Sequence, residues 1–175
     1  MQPIGTDFFK FCPHCGSQNV HYSNNFKLDC SACGFVLYHN IAAAVAIVFT
    51  FENKLLFTVR NVEPDKGKLD LPGGFIDPNE TAEEAACREI REEIGLNVMP
   101  SELRYLTTAP NNYLYKNVAY RTLDIFYEYS LQSEVITVKA EDEIKALVWI
   151  GREAIDLEKI GFVSVRNVIQ NFYQS

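Results

Sequence analysis

The segment "REIREEIG" at residues 88–95 crowds acidic side chains onto one stretch of predicted helix. At about 100° per residue, Glu89 and Glu93 fall within about 40° of each other, on the arc that also carries several small alanine side chains. Glu92 lies about 60° from Glu89, at the edge of the same cluster. The far side of the helical wheel carries Glu84, Arg88 and Arg91.

Two interpretations of this acidic helix differ in their chemistry. On an exposed helix, like charges four residues apart cost only about 0.2–0.5 kcal/mol, so the run could be a solvated face. If the alanine face packs against a sheet, however, Glu89 and Glu93 are partly desolvated, and two charges about 5.5 Å apart repel by roughly 3 kcal/mol at an effective dielectric of about 20. Such a pair binds either a proton or a cation. Because hard divalent ions prefer oxygen ligands, we expect Mg²⁺ or Mn²⁺ here.

Four of the five cysteines form two matched pairs near the N-terminus, "CPHCG" and "CSACG". Two such pairs can place four thiolates around one tetrahedral ion, which predicts a closed structural zinc site. Free thiols or a redox CxxC would need no second matched pair, and His14 could replace one cysteine as a ligand. We expect Gly16 and Gly34 to let backbone amides approach the sulfurs. The predicted zinc ligands are Cys12, Cys15, Cys30 and Cys33.

The pattern after the cysteine pairs predicts the elements that carry the acidic helix. The apolar run at 41–51 reads as a buried strand, "ENK" as a turn and "LLFTVR" as a second strand, which together form a hairpin. Residues 61–80 are rich in Gly and Pro, so they should be loop with short extended pieces at 69–71 and 75–76. Thr81 and Glu84 form a capping box for a helix that should run to about Ile94 and end at Gly95.

Downstream, three further strands and a closing helix are predicted. The segments "ELRYLTTA", "AYRTLDIFYEYSL" and "ALVWI" look like strands, and "SVRNVIQNFYQ" looks like a helix. Strands with two interposed helices indicate a mixed α/β or α+β domain at residues 41–175. Residues 1–40 form a separate unit that is too small to fold by apolar burial alone and needs a staple such as zinc.

Composition excludes several classes of function. A formal charge of -7 has the wrong sign for holding a nucleic-acid backbone, and within residues 1–40 Lys10 and Lys27 only balance Asp7 and Asp29. We therefore expect no nucleic-acid partner. The longest apolar run is shorter than the roughly 20 residues that cross a bilayer, and the N-terminus lacks the pattern of an export signal. These features predict a cytoplasmic protein without a membrane partner.

The loop and helix together carry a known pattern. Gly74, then five residues, Glu80, then seven residues and "REIREEIGL" match the Nudix box at every fixed position. With its cysteine pairs, the chain resembles Nudix hydrolases that carry an N-terminal zinc ribbon. The resemblance implies an α/β/α sandwich around a mixed sheet, a catalytic Mg²⁺ or Mn²⁺, and hydrolysis of a nucleoside diphosphate linked to another group, with release of a nucleoside monophosphate.

The resemblance also implies roles for individual residues. Glu89, Glu92 and Glu93 would bind the catalytic metal, and Arg88 would orient Glu89 and pair with Glu80. A further acidic residue outside the box often completes such sites, and Glu143 in "KAEDEIKALVWI" is our candidate. The general base stays open among Glu89, Glu92 and residues 141–143. Next to Pro72, Gly73 and Gly74 would let the backbone approach a bound ligand.

The substrate is only partly indicated. Ribbon-bearing relatives include NADH pyrophosphatases, which typically carry "SQPWPFP" after the box, whereas this chain has a tyrosine-rich segment there. Tyr113, Tyr115 and Tyr120 could stack on an adenine, although such residues more often pack a sheet. We therefore favour ADP-ribose or a similar small molecule. The alternatives are an NADH or dinucleotide pyrophosphatase and a non-catalytic nucleotide-sensing module. Many relatives are dimers, so a homodimer is expected. Cys87 should be packed and inert.

Overall fold

A computed structural model describes residues 9–23, 26–115, 118–134, 136 and 138–174, without the side chains of residues 115, 118 and 119. The first unit is a small antiparallel sheet with the order β1-β2-β3, formed by Val20–Ser23, Lys27–Cys30 and Val36–Tyr38. The two cysteine turns flank its strands. The second unit is a mixed sheet whose strands are β4 (Ala42–Phe51), β5 (Lys54–Arg60), β6 (Leu69–Asp70), β7 (Gly73–Phe75), β8 (Arg104–Tyr115), β9 (Val118–Ser130) and β10 (Ile144–Gly151).

The mixed sheet has the order β10-β5-β4-β9-β8, in which β4 and β9 run parallel and the other neighbours antiparallel. The predicted β4–β5 hairpin is confirmed, but its strands pair only through Thr50 with Leu55 and Phe51 with Lys54. Beyond these pairs the strands diverge. Strand β7 pairs with β4, and β6 with β5, in the space that opens between them. This divergence creates the cleft described below.

The first helix, α1 (Ala82–Ile94), forms where its capping signals predict. The Thr81 side chain accepts a hydrogen bond from the Glu84 amide, the Glu84 carboxylate accepts one from the Thr81 amide, and Gly95 ends the helix at a φ of 72°. Its apolar stripe then packs on one face of the sheet. The core between α1 and that face contains Ala85, Ala86, Ile90 and Ile94 with Val45, Ile47, Phe49 and Tyr127.

The second helix, α2 (Val163–Tyr173), covers the opposite face of the sheet. Its Val165, Val168 and Ile169 are buried against side chains of β4, β5 and β9 that include Phe57 and Phe126. One helix therefore lies on each face, and the predicted α/β/α sandwich around a mixed sheet is confirmed.

Strands β8 and β9 form a long hairpin whose first strand extends beyond the predicted segment at 102–109. Pro110 is tolerated within β8 because this strand is at the edge of the sheet, where a missing amide donor need not break a ladder. Short 3₁₀ turns at Pro100–Glu102, Arg152–Ala154 and Leu157–Lys159 connect the remaining elements. Within the described residues, no helix has the length and apolar character required to cross a bilayer.

Candidate active site

A cleft of about 710 Å³ lies where β4 and β5 diverge, between the β6–β7 loop, α1 and the start of α2. Among the described residues, eight carboxyl groups and two guanidinium groups line it, so its field is strongly negative. Such a field attracts divalent cations and repels an unaccompanied phosphate. The carboxyl groups belong to Glu63, Asp70, Asp77, Glu89, Glu92, Glu93, Asp124 and Glu143, and the guanidinium groups to Arg60 and Arg88.

Glu93 is the most enclosed carboxylate of the acidic helix, with 8% of the residue exposed. Its Oε2 accepts a hydrogen bond of 2.9 Å from the backbone amide of Gly73. Burial, reinforced by the nearby charge of Glu89, raises the pKa of Glu93 well above its usual range. A carboxylate held in this state binds either a proton or a metal ion, as the sequence analysis anticipates.

Glu89 lies beside Glu93 with its side chain 14% exposed. Burial is the main cause that raises its pKa, the charges of Glu92 and Glu143 add to the effect, and Arg88 opposes it. The two glutamates at positions 89 and 93 are therefore desolvated neighbours on the buried face of α1. This arrangement excludes the solvated-face interpretation for this pair.

The position of the Arg88 side chain differs from the one that the helical wheel predicts. The wheel puts the Cα of Arg88 on the far side of α1, but its long side chain turns back along the helix and is only 19% exposed. Its Nη1 donates to Glu89 Oε1 at 2.6 Å, and its Nε donates to Glu80 Oε1 at 2.8 Å. Its Nη2 donates to the Phe75 carbonyl at 3.0 Å. Arg88 thus joins the glycine loop to the acidic helix, and its hydrogen bond to Glu80 lowers the pKa of that carboxyl.

Glu92 and Glu143 lie at the rim of the cleft. The Glu92 side chain is 53% exposed, and its Oε2 is 3.3 Å from Arg88 Nη1. Glu143 is exposed, and its loop is fixed from two sides: the Glu143 carbonyl accepts from the Asn61 amide at 2.7 Å, and the Lys139 amide donates to the Glu93 carbonyl at 2.8 Å. Folding therefore brings Glu143, which follows the end of α1 by 49 residues, to the same cleft as the box glutamates.

The two glycines before α1 line the cleft, but the contacts that require glycine come from the protein itself. Gly73 has a φ of 148°, and an added Cβ would overlap the Val45 carbonyl oxygen of β4. At Gly74 an added Cβ would overlap the carboxylate of Glu89. Both positions therefore allow the loop to pack closely on β4 and on α1.

The predicted tyrosines separate on folding. Tyr113 lines the cleft, where its ring packs edge-on against Phe75 at 5.5 Å and lies 5.8 Å from Phe162. The side chain of Tyr115 lies outside the described residues, so its predicted role is not tested. Tyr120 is 37% exposed and does not line the cleft.

Besides the exposed Glu63 and Asp77, three more enclosed charged residues of the cleft were not predicted from the sequence: Arg60, Asp70 and Asp124. Arg60 Nη1 is 2.7 Å from Asp70 Oδ2, and burial raises the pKa of Asp70 to about 6 despite this ion pair. Asp124 is 8% exposed within β9. Each carboxyl has an apolar residue on either side of it, in "LDL" and "TLDIF". An acidic residue in such a context is a usable signal, because it is rarely buried without a partner.

The four N-terminal cysteine sulfurs lie within 4.8 Å of one another. The Cys12–Cys33 and Cys15–Cys30 sulfur separations are 3.8 and 3.7 Å. A tetrahedral ion with bonds of about 2.3 Å to sulfur gives edges of roughly 3.8 Å, so the geometry suits zinc. His14 is not in the cluster; its ring stacks on Phe35.

The predicted reason for the glycines in the cysteine turns differs in one detail. An added Cβ at Gly16 or Gly34 would meet no described atom within 4 Å, so glycine is not needed there to let an amide approach a sulfur. The amides of Gly16 and Gly34 donate to the carbonyls of Cys12 and Cys30. The His14 amide donates to the Cys12 sulfur at 3.4 Å. Positive φ angles at both glycines close these turns.

Together, the fold and the cleft define an α/β/α sandwich with a buried carboxylate cluster on one helix, suited to hard cations. A sequence model of the NUDIX domain matches residues 39–172, which is most of the chain. The chain therefore belongs to the NUDIX family, and the resemblance inferred from the Nudix box is confirmed.

Individual proteins are similar to this chain in sequence or in fold. The NAD-capped RNA hydrolase NudC of Vibrio parahaemolyticus serotype O3:K6 (strain RIMD 2210633) is 30% identical over 105 residues, which cover 60% of this chain and 39% of that protein. The chain thus matches well under half the length of this curated relative. A NUDIX hydrolase from Nitrosomonas europaea superposes with a TM-score of 0.67 at 22% identity, covering 95% of this chain and 91% of the other. The NUDIX domain of Shewanella oneidensis NrtR, solved with ADP ribose, gives 0.59 at 22% identity, covering 75% and 86%.

Proposed function

We propose that this protein is a Mg²⁺- or Mn²⁺-dependent pyrophosphohydrolase that cleaves a nucleoside diphosphate linked to another group and releases a nucleoside monophosphate. The observation that carries the proposal is the pair of desolvated carboxylates, Glu89 and Glu93, whose pKa values are both raised in one cleft. Such a pair is tolerable as two anions only when a cation lies beside it.

Glu89, Glu92 and Glu93 would hold the metal, since their oxygens are the donors that hard divalent ions prefer. When bound, the ion supplies charge neutralisation for the diphosphate and lowers the pKa of a water molecule. The chain's own residues supply the positioning. Arg88 fixes the Glu89 carboxylate and the Gly73 amide fixes Glu93. The acceptor for the proton of the attacking water is one of Glu89, Glu92 and the acidic residues at 141–143.

ADP-ribose or a similar small conjugate is the preferred substrate. The chain lacks the "SQPWPFP" segment expected of NADH pyrophosphatases, and Tyr113 supplies a ring in the cleft. The net charge of -7 and the near-neutral ribbon disfavour a partner bound through a nucleic-acid backbone. NADH and other dinucleotides are the second candidate, because a curated relative is named as an NAD-capped RNA hydrolase.

We further propose that Cys12, Cys15, Cys30 and Cys33 bind one structural zinc ion. The near-tetrahedral sulfur separations support this ligand set. The chain then divides into a ribbon at 1–40 and a Nudix domain at 41–175. A homodimer and a cytoplasmic location stay predictions; light scattering of the purified chain tests the first.

The test of the proposed reaction is a substrate panel of ADP-ribose, NADH, FAD, nucleotide sugars, dinucleoside polyphosphates and NAD-capped RNA, each assayed with Mg²⁺ and with Mn²⁺. Turnover of ADP-ribose that is lost in Glu92→Gln and kept in the exposed control Glu153→Gln is the expected result. Turnover of no compound contradicts the hydrolase. If ADP-ribose then binds without being cleaved, a nucleotide-sensing module becomes the supported function in place of the hydrolase.

A further inference from the structure

One wing of the cleft takes no part in the proposed metal chemistry. It lies on the α2 side of the sheet, and we name it the side chamber. Small side chains on β4 leave room there, while β8, β9 and the start of α2 supply larger ones. Its lining residues are Ala44, Asn111, Tyr113, Asp124, Phe162 and Val165.

Asp124 is the buried titratable group of this chamber. Its Oδ1 accepts a hydrogen bond of 2.7 Å from the Thr122 hydroxyl, and its Oδ2 accepts one of 2.6 Å from the Ser164 hydroxyl. A carboxylate offers about four acceptor positions, so these hydroxyls satisfy about half of them. Because Asp124 also lines the cleft, its remaining lone pairs are available to a donor on a bound molecule.

An aromatic wall leads from the acidic helix to this carboxylate. Phe75 comes directly after Gly74, which lies against the Glu89 carboxylate. Phe75 is 43% exposed, and its ring packs edge-on against Tyr113. Tyr113 in turn contacts Phe162, which is covered on another side by the Arg60 guanidinium at 4.9 Å. A flat ring is the ligand shape that such a wall accommodates by stacking.

We propose that the side chamber binds a planar heterocycle through its primary amino or amide group, and that Asp124 is the specificity-determining acceptor for that –NH₂. This inference rests on the proposed function, since the ring is the base end of the diphosphate substrate. A carboxylate accepts but does not donate, so it favours –NH₂ and disfavours a ring that presents an oxyanion in the same place. Two sources share this chemistry, the 6-amino group of adenine and the carboxamide of nicotinamide.

A purely structural role for Asp124 makes a different prediction. Helix α2 has no side-chain cap at its N-terminus, and the Ser164–Asp124 bond ties its first turn to β9. If that tie were the whole role, removing it from either side would have the same effect. Neither change would alter which ring the protein prefers.

The experiment is calorimetric binding of four mononucleotides in the presence of Mg²⁺. AMP is compared with purine riboside 5′-monophosphate, which lacks the amino group, and nicotinamide mononucleotide with nicotinic acid mononucleotide, which carries a carboxylate instead. Loss of a hydrogen bond to a charged acceptor weakens binding by roughly tenfold or more, so one pair should show at least that preference. The pair that shows it identifies the source of the –NH₂ group.

The variants separate recognition from folding. In Asp124→Asn the acceptor loses its charge and gains a donor, so the preference should fall to about threefold or less, and for the nicotinamide pair it should reverse. The control Ser164→Ala should keep the wild-type preference. Asp124→Ser replaces Asp124→Asn if the latter does not fold.

The inference is overturned if the wild type binds both members of each pair equally, or if it binds none of the four mononucleotides. It is also overturned if Ser164→Ala loses the preference to the same extent as Asp124→Asn. Because mononucleotides bind without being cleaved, these results are independent of turnover. A protein that hydrolyses nothing but keeps an Asp124-dependent preference contradicts only the proposed reaction.

Discussion

The backbone amide of Gly73 donates to Glu93 Oε2 over 2.9 Å, which joins the loop before α1 to the last turn of that helix. The same glycine packs on β4 so closely that no side chain fits. The position of the buried carboxylate is therefore set by main-chain packing in the sheet rather than by the helix alone.

Glu93→Gln tests the role of this carboxylate. The amide oxygen can still accept from Gly73, so the fold should be kept. The glutamine amide is a weaker ligand for a hard cation than a carboxylate, so we expect kcat to fall by at least about a hundredfold. Without metal at about pH 8 the variant should unfold at a higher temperature than the wild type, because it removes a desolvated charge. Unchanged activity would contradict the assigned role.

The response to Mg²⁺ should depend on pH. Burial raises the pKa values of Glu89 and Glu93, so their protonated forms are favoured in the fold. Protonated Glu89 and Glu93 therefore stabilise the metal-free protein at low pH, and this stabilisation is lost as pH rises through their raised pKa values. Asp70, with a pKa of about 6, changes the stability in the same direction. Protons compete with the metal, so Mg²⁺ should raise the unfolding temperature more at about pH 8 than at about pH 5.

Thermal unfolding with and without Mg²⁺ at the two pH values measures this difference. Glu93→Gln should abolish most of it, while Glu153→Gln at an exposed site should leave it intact. An equal effect of Mg²⁺ at both pH values would rule out the buried pair as its binding site.

Gly74→Ala should damage activity more than stability. The added methyl group overlaps the end of the Glu89 side chain, which can move away at small cost. Changes to the surroundings that orient a metal ligand typically lower metal affinity or activity by about 10- to 100-fold, so we expect a loss in that range. Steady-state kinetics and the unfolding temperature measure the two effects. Gly151→Ala is the matched control, because an added Cβ there meets no atom within 4 Å; equal kinetics in both variants would refute the account.

Zinc should be bound by the ribbon and be independent of Cys87. Elemental analysis of freshly purified protein should give one zinc ion per chain. Cys15→Ser should lose most of it, because one thiolate of the tetrahedron is missing. Cys87→Ser should retain the full zinc content, since Cys87 lies on α1, partly buried against the core of the second unit. Zinc-free wild-type protein would contradict the proposed site.

Local signals sufficed for the elements that carry the site. The Thr81–Glu84 capping box and Gly95 predicted both ends of α1, because caps act through hydrogen bonds within a few residues. The alanine stripe predicted which face is buried and hence the enclosed position of Glu93. The wheel failed for Arg88, since it places Cα atoms and not the end of a long, flexible side chain that can turn toward carboxylates.

What the sequence by itself determined is therefore local: the family pattern, the cysteine pairs, the ends of α1 and the carboxylates on its buried face. What only the tertiary structure decided is long-range: the divergence of β4 from β5, the position of Glu143 at the rim of the cleft, and the side chamber that Asp124 lines. The physical reason is that periodicity and capping act over a few residues. The cleft, by contrast, depends on which strands pair and on how far they separate, and no local pattern encodes that.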